Sequence, residues 1–358
     1  MSESTKAVFL SDASQDAEAA KRICDALRAA SVGDSAWHGF NDGHYALCAG
    51  FMARRSFILR TLRRAGAVLA VGVMGCLQAT PPAALKHVMA NGAEFTYVDV
   101  GAGDTVVLVH GALGDYRDWV AQLAPLASHH RVIVYSRRFH YPNSGSADGA
   151  DYTLARQAAD LVAILQALHL PPVHLVGHSY GGSVAAIAAV SQPELVRTLT
   201  LVEPSLFSLV AADEAGRAAV ARQNAAYLDV IARLDREENE AALGEFIDLV
   251  AGPGAYEHAS PEAHTEMREN LSTLKPMLLG KNRGAPFTLA DAAKLKMPVL
   301  LIGSERSPRI FHLTEDKLET VLADMRRVTL RGVSHFSARE DPAAFNAALL
   351  NFLAASER

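Results

Sequence analysis

Val173-His174-Leu175-Val176-Gly177-His178-Ser179-Tyr180-Gly181-Gly182-Ser183-Val184-Ala185-Ala186-Ile187-Ala188-Ala189-Val190 reads as a strand, a pinched turn and a helix. Val173 to Val176 is a short apolar run, as a buried parallel strand requires. The small residues from Gly182 onward let the following helix lie close against a sheet. Between them Gly177-His178-Ser179-Tyr180-Gly181 places a serine flanked by glycines. A serine held there takes strained backbone angles, and the glycines remove side chains that would clash with the turn. The strain exposes Oγ and aims the helix N-terminus at any negative charge that develops beside it.

Working outward, Thr105 to Val109 is a second β-branched run, ending in His110-Gly111-Ala112-Leu113-Gly114. Such a strand-end turn leaves backbone N–H groups free. Further strand-like runs are Arg131 to Tyr135, Thr198 to Val202, Pro298 to Ile302 and Arg327 to Leu330. Helical patterns separate them, clearest at Leu154, Ala158, Leu161, Val162, Leu165 and Leu168. The alternation predicts an α/β domain, a mostly parallel sheet with helices on both faces. Residues 205–290 break it with helices expected over Ala211 to Leu234, Asn239 to Val250 and Pro261 to Leu279, an insertion that would cap the strand ends.

With both turns in this order, the chain from about residue 88 to the end resembles the α/β-hydrolase superfamily. The resemblance implies the α/β-hydrolase fold with a helical cap, Ser179 as nucleophile, and an oxyanion hole from the N–H groups of Ala112 and Tyr180. His335 follows the last strand within Gly332-Val333-Ser334-His335 and precedes a Pro-started terminal helix at Pro342, where the superfamily keeps its general base. His110 and His178, with Gly111, Gly177 and Gly181, are expected to support the two turns. His129-His130 is expected to be a solvated loop, not a metal site.

The triad acid is where this chain departs from the common pattern. Most members carry an Asp in the turn after the penultimate strand. Here that turn reads Gly303-Ser304-Glu305-Arg306-Ser307-Pro308, with a serine in the pre-proline slot. Two carboxylates compete for the role. Glu203 ends the strand after the nucleophile helix, and neighbouring strand ends lie only about 5 Å apart. Glu305 lies in the usual turn but two residues early. Glu203 is the expectation and Glu305 the reserve.

The implied chemistry is hydrolysis of a small ester or related acyl substrate through an acyl-enzyme, needing neither cofactor nor metal. Two other readings share the constellation: a cofactor-free lyase, C–C hydrolase or perhydrolase, and a ligand-binding protein without turnover. Ser179 at the elbow disfavours dehalogenase and epoxide hydrolase chemistry, which places Asp there. No dinucleotide, P-loop or zincin motif occurs.

Composition limits the partners. With 34 Lys and Arg against 39 Asp and Glu, a formal charge of -5 leaves no basic excess for nucleic acid. The three cysteines, Cys24, Cys48 and Cys76, all precede the hydrolase-like region. They leave it no disulfide, thiolate metal site or cysteine nucleophile. Nothing in the sequence sets an oligomeric state.

Two segments lie ahead of this region. Residues 1–51 open with a strand and helix, and Lys6 to Trp37 resembles the start of a bacterial TIR domain. Asp12 departs from that family's usual residue and the further βα units are missing, so its activity is not carried over. Residues 52–82 place Arg54-Arg55 and Arg63-Arg64 before the uncharged Ala65 to Cys76. That layout resembles a twin-arginine export signal, and Val73-Met74-Gly75-Cys76 a lipoprotein box. The pattern predicts cell-envelope targeting and membrane association through residues 52–80, with Met52 as the start. Retention of residues 1–51 would predict the cytoplasm instead.

Overall fold

The structure is a computed structural model that describes residues 84–147, 152–280 and 286–356. The TIR-like stretch, the export-like segment and the three cysteines lie outside the described residues. Eight strands form one sheet: β1 Lys86–Ala90, β2 Ala93–Gly101, β3 Thr105–Val109, β4 Arg131–Tyr135, β5 Val173–His178, β6 Val196–Val202, β7 Val299–Ser304 and β8 Met325–Leu330. Their order is β1-β2-β4-β3-β5-β6-β7-β8. β2 runs opposite to the other seven strands, so both of its pairings are antiparallel and all the rest are parallel. The two strands beyond the expected set, β1 and β2, form a hairpin over Asn91-Gly92. Both turn residues take positive φ, 45° and 72°, as a two-residue hairpin requires.

The sheet is covered on both faces. Alternate residues of β3 separate cleanly: Val106 and Leu108 join one core, Val107 and Val109 the other. Helices α1 Val120–Ala127, α2 Leu154–Ala167 and α3 Tyr180–Ser191 follow β3, β4 and β5. The terminal helix, numbered α11 below, packs Phe345, Leu349, Phe352 and Leu353 against Val106, Val134 and Val202.

Between β6 and β7 the chain forms α4 Glu214–Asp235, α5 Asn239–Ala251, α6 Pro261–Glu269, α7 Leu274–Gly280 and the short α8 Leu289–Ala292. Helix α4 starts at Glu214 and not at Ala211, because the Asp213 carboxylate accepts from Gly216 N–H and caps it there. The helix expected over Pro261 to Leu279 is broken at Asn270. Its Nδ2 donates to Glu266 O and to Asp115 Oδ2, and its carbonyl accepts from Thr273 Oγ1. These side-chain bonds compete with the helical ladder. Helices α9 Arg309–Glu319, α10 Ser337–Glu340 and α11 Pro342–Ser356 complete the domain.

The pair His129-His130 corrects the expectation of a solvated loop. His129 is exposed, but His130 is buried and packs edge-on against His174 of β5, centroids 5.9 Å apart. Strand β4 begins at the next residue, which draws His130 into the sheet margin. Among the described residues no helix is long and apolar enough to cross a membrane.

Topology sets the site's position. Strand β3 lies between β4 and β5, so the chain reverses its direction of winding at the β3–β5 pair and leaves a crevice beyond their carboxyl ends. Register places Val109 opposite Gly177, His178 opposite Val202, and Val202 opposite Ile302. The residues that follow each strand, His110, Ser179, Glu203 and the turn after β7, therefore meet along one edge.

Candidate active site

Ser179 sits between β5 and α3 at φ 53°, ψ −118°. A non-glycine residue in that region costs about 1–3 kcal/mol, so the surroundings must hold it. Ser179 N–H donates to Val202 O at 2.9 Å, and Ser205 N–H donates to Ser179 O at 3.1 Å. The flanking glycines answer to contact and not to φ. A Cβ on Gly177 would stand 2.5 Å from Gly181 O, and one on Gly181 2.3 Å from His110 O. The elbow and the β3 turn are thus in backbone contact.

The same closeness appears from the β3 side. A Cβ on Gly111 would lie 2.9 Å from His178 Nδ1 and 3.3 Å from Ser179 Cβ. Ala112, half-buried, comes next, followed by Leu113 at φ 57°. Tyr180 is the first residue of α3, so its N–H is one of the first-turn amides that no helical carbonyl can accept. His110 is fully buried. Its Nε2 accepts from Arg137 N–H at 2.8 Å, so its Nδ1 carries the proton donated to Gly111 O at 2.9 Å.

Across the edge, His335 Nδ1 donates to Glu203 Oε2 at 2.6 Å, with both side chains buried. The carboxylate also accepts from Ser307 Oγ at 2.7 Å and, through Oε1, from Ser304 N–H at 2.9 Å. Burial pushes the Glu203 carboxyl upward. The hydrogen bond and charge of His335, with Ser307 and Ser304, outweigh that and hold it below its ordinary value. Glu203 itself is at φ 43°, which turns its side chain along the sheet edge.

With Nδ1 donating, His335 Nε2 carries a lone pair, and it is buried without a hydrogen-bond partner among the described residues. The ring is stacked on Phe311 at 4.2 Å and lies 4.6 Å from the ring of His178. His178 Nε2 donates to His335 O at 2.9 Å. Desolvation, then the charge of His335, lower the His178 imidazole to about 4, so it is neutral near pH 7. His178 therefore braces the loop that carries His335.

Of the two candidate acids, the structure brings Glu203 to His335. Glu305 is exposed, and its Oε2 accepts from Gly332 N–H at 2.7 Å instead. Ser307, in the usual acid's slot, reaches the same imidazole indirectly by donating to Glu203. That contact did not emerge from sequence patterns.

A cavity of about 990 Å³ lies between cap and sheet edge, lined by Ala112, Leu113, Val333 and Phe336 on one side and Ile247 and Met267 on the other. Tyr227, Phe246 and Met277 of the cap are buried in the larger hydrophobic core, which also holds Val107 and Leu201 of the sheet, and the Tyr227 and Phe246 rings stack 6.3 Å apart. At the cavity wall Arg339 donates to Glu266 of α6 at 2.6 and 2.7 Å, and to Asp118. Burial, then the nearby Asp118 charge, raises the Glu266 carboxyl despite Arg339. This cluster ties the cap to α10, the short helix after His335. Among the described residues no group of three His, Cys, Asp or Glu side chains could hold a metal ion.

Residues 106–348 match a family model of the alpha/beta hydrolases, a span that contains every candidate site residue named above. The chain belongs to the alpha/beta hydrolase family. Across 264 residues the hydrolase is 28% identical to a Variovorax paradoxus protein named "Putative carbamate hydrolase RutD", covering 70% of this chain and 92% of that one. It is 36% identical over 127 residues to the 2-hydroxy-6-oxo-2,4-heptadienoate hydrolase of Pseudomonas putida, covering 33% of this chain and 43% of that protein. Several curated relatives are matched over only 32% to 43% of their length. Among solved structures, a hydrolase from Pseudomonas aeruginosa PA01 superposes with a TM-score of 0.61 at 25% identity, covering 75% of this chain and 98% of that one.

Proposed function

We propose that this hydrolase cleaves a small ester or related acyl substrate through Ser179, His335 and Glu203. His335 Nε2 takes the proton from Ser179 Oγ as the oxygen attacks the acyl carbon. The Ala112 and Tyr180 N–H groups hold the oxyanion, and the imidazolium then protonates the leaving group. Water, deprotonated by the same nitrogen, releases the acid and restores Ser179. Glu203 keeps Nδ1 protonated and stabilises the imidazolium. The observation that carries this reading is the buried 2.6 Å bond from His335 Nδ1 to Glu203, which leaves Nε2 as the base.

The test is turnover of p-nitrophenyl esters of graded acyl length by wild type and by Ser179→Ala. Turnover that Ser179→Ala abolishes supports the reading. Wild-type protein that is folded yet inert on the series removes it. Likeness to the Pseudomonas putida enzyme supports a second reading, hydrolysis of a carbon–carbon bond on the same residues. Esters then turn over slowly while a vinylogous 1,5-diketone is cleaved fast.

A further inference from the structure

Behind the β3 turn lies a buried cation that the triad does not use. Arg137, two residues beyond β4, is completely buried, and among the described residues no carboxylate pairs with it. An interior charge without a counter-ion is costly, so its hydrogen bonds must offset desolvation. Those bonds go to the turn that carries one candidate oxyanion donor. Nε donates to His110 O at 3.1 Å and Nη2 to Gly111 O at 2.8 Å, while Nη1 reaches Tyr152 OH at 3.2 Å and Gln157 Oε1 at 3.3 Å. On its other side the guanidinium lies 4.9 Å from the centroid of the Tyr180 ring. Tyr180 supplies the second donor.

Peptide geometry turns these contacts into a functional argument. Gly111 C=O and Ala112 N–H belong to one planar trans unit and point opposite ways, so fixing the carbonyl fixes the N–H. A cationic donor on the carbonyl also polarises the unit and strengthens its N–H as a donor. The surrounding groups add no second charge. Burial, then Arg137 itself, hold His110 and His140 well below the usual imidazole range, so both are neutral. His140 Nδ1 donates to Gly114 O at 2.6 Å and its Nε2 accepts from Tyr152 OH at 2.5 Å, anchoring the far end of the turn.

We propose that Arg137 is a positioning residue for the oxyanion hole: its guanidinium fixes and polarises the Gly111–Ala112 peptide and braces Tyr180, keeping both amides convergent as negative charge develops. The proposal rests on the serine-hydrolase reading above. It predicts a loss expressed in the transition state and not in substrate binding.

The experiment measures kcat and KM for the best ester, and the inhibition constant of its trifluoromethyl ketone analogue, for wild type, Arg137→Met and Arg137→Lys in the full chain. Arg137→Met is expected to lower kcat about 100-fold, the order seen when one oxyanion donor is lost, with KM changed less than about threefold. Ketone affinity should fall in parallel with kcat/KM, and Arg137→Lys should recover part of both. Folded Arg137→Met with kcat within about threefold of wild type overturns the proposal. If neither variant folds, Tyr180→Leu, which removes the ring face but keeps the backbone N–H, decides: a tenfold or greater fall in kcat and ketone affinity supports it, and unchanged values overturn it. An inert wild type would instead count against the hydrolase reading, whereas an active wild type with active Arg137 variants counts against this proposal alone.

Discussion

Glu203 and His335 are 132 residues apart in sequence, yet they share a 2.6 Å hydrogen bond at the sheet edge, both side chains buried. The carboxylate comes from the end of β6, while the turn after β7 contributes only donors to it, Ser304 N–H and Ser307 Oγ. Moving the carboxylate by one strand keeps the same imidazole nitrogen within reach.

Glu203→Gln is therefore expected to lower kcat by about 10⁴-fold, because the imidazole loses both its tautomer control and its counter-charge. Glu305→Gln should stay within about threefold of wild type. Steady-state kinetics beside circular dichroism check this, and the reverse ranking would move the acid to Glu305.

Ser307→Ala tests the support beneath Glu203. The native carboxyl is held below its ordinary value of 4.5. Its ionisation thus adds stability that is fully present above the unfolded value and is lost as pH falls through the lower folded one. Removing the Ser307 donor raises the folded value. The acid limb of kcat/KM, which belongs to the Glu203–His335 pair as a unit, should move to higher pH, and acid unfolding should begin earlier. A pH–rate profile that superimposes on wild type would contradict this.

Gly181→Ala probes the elbow's packing. The added Cβ would face His110 O at 2.3 Å and Val109 O at 2.5 Å, both backbone atoms. Overpacking of this kind costs about 1–3 kcal/mol or more and would part the elbow from the β3 turn. A lowered melting temperature with at least about a tenfold fall in kcat is expected. Wild-type values for both would show that the contact is not essential.

Much of the fold is legible in sequence because its central strands, β3 to β7, are buried on both faces and read as short apolar runs. The hairpin is the exception. Lys86-His87-Val88-Met89-Ala90 lies at the sheet edge with mostly exposed side chains, so hydrophobicity does not mark it. Asn91-Gly92 was the signal available. In the candidate site, Ser179 and His335 stand in local motifs. The acid remained open between Glu203 and Glu305, since reach depends on strand register and on the left-handed backbone of Glu203, neither of which a local pattern encodes. Arg137 was invisible for another reason: beside Arg138 it reads as part of a surface charge pair, yet it is fully buried.

The unit Thr80–Arg358 contains both hydrophobic cores of the sheet and all the candidate site residues. A chain starting at Thr80 is expected to fold and keep the full chain's kcat within about twofold. Loss of cooperative unfolding in that chain would show that the preceding residues complete the domain.

The proposed chemistry turns on Ser179 as a nucleophile activated by His335. The most direct measurement is mass spectrometry of the full chain after incubation with a fluorophosphonate, with ester turnover followed in parallel. One adduct per chain is expected, on the peptide carrying Ser179, rising as turnover falls, and none in Ser179→Ala or His335→Ala. Folded wild-type protein that turns over ester while Ser179 stays unmodified, or that loses nothing on Ser179→Ala, would contradict it.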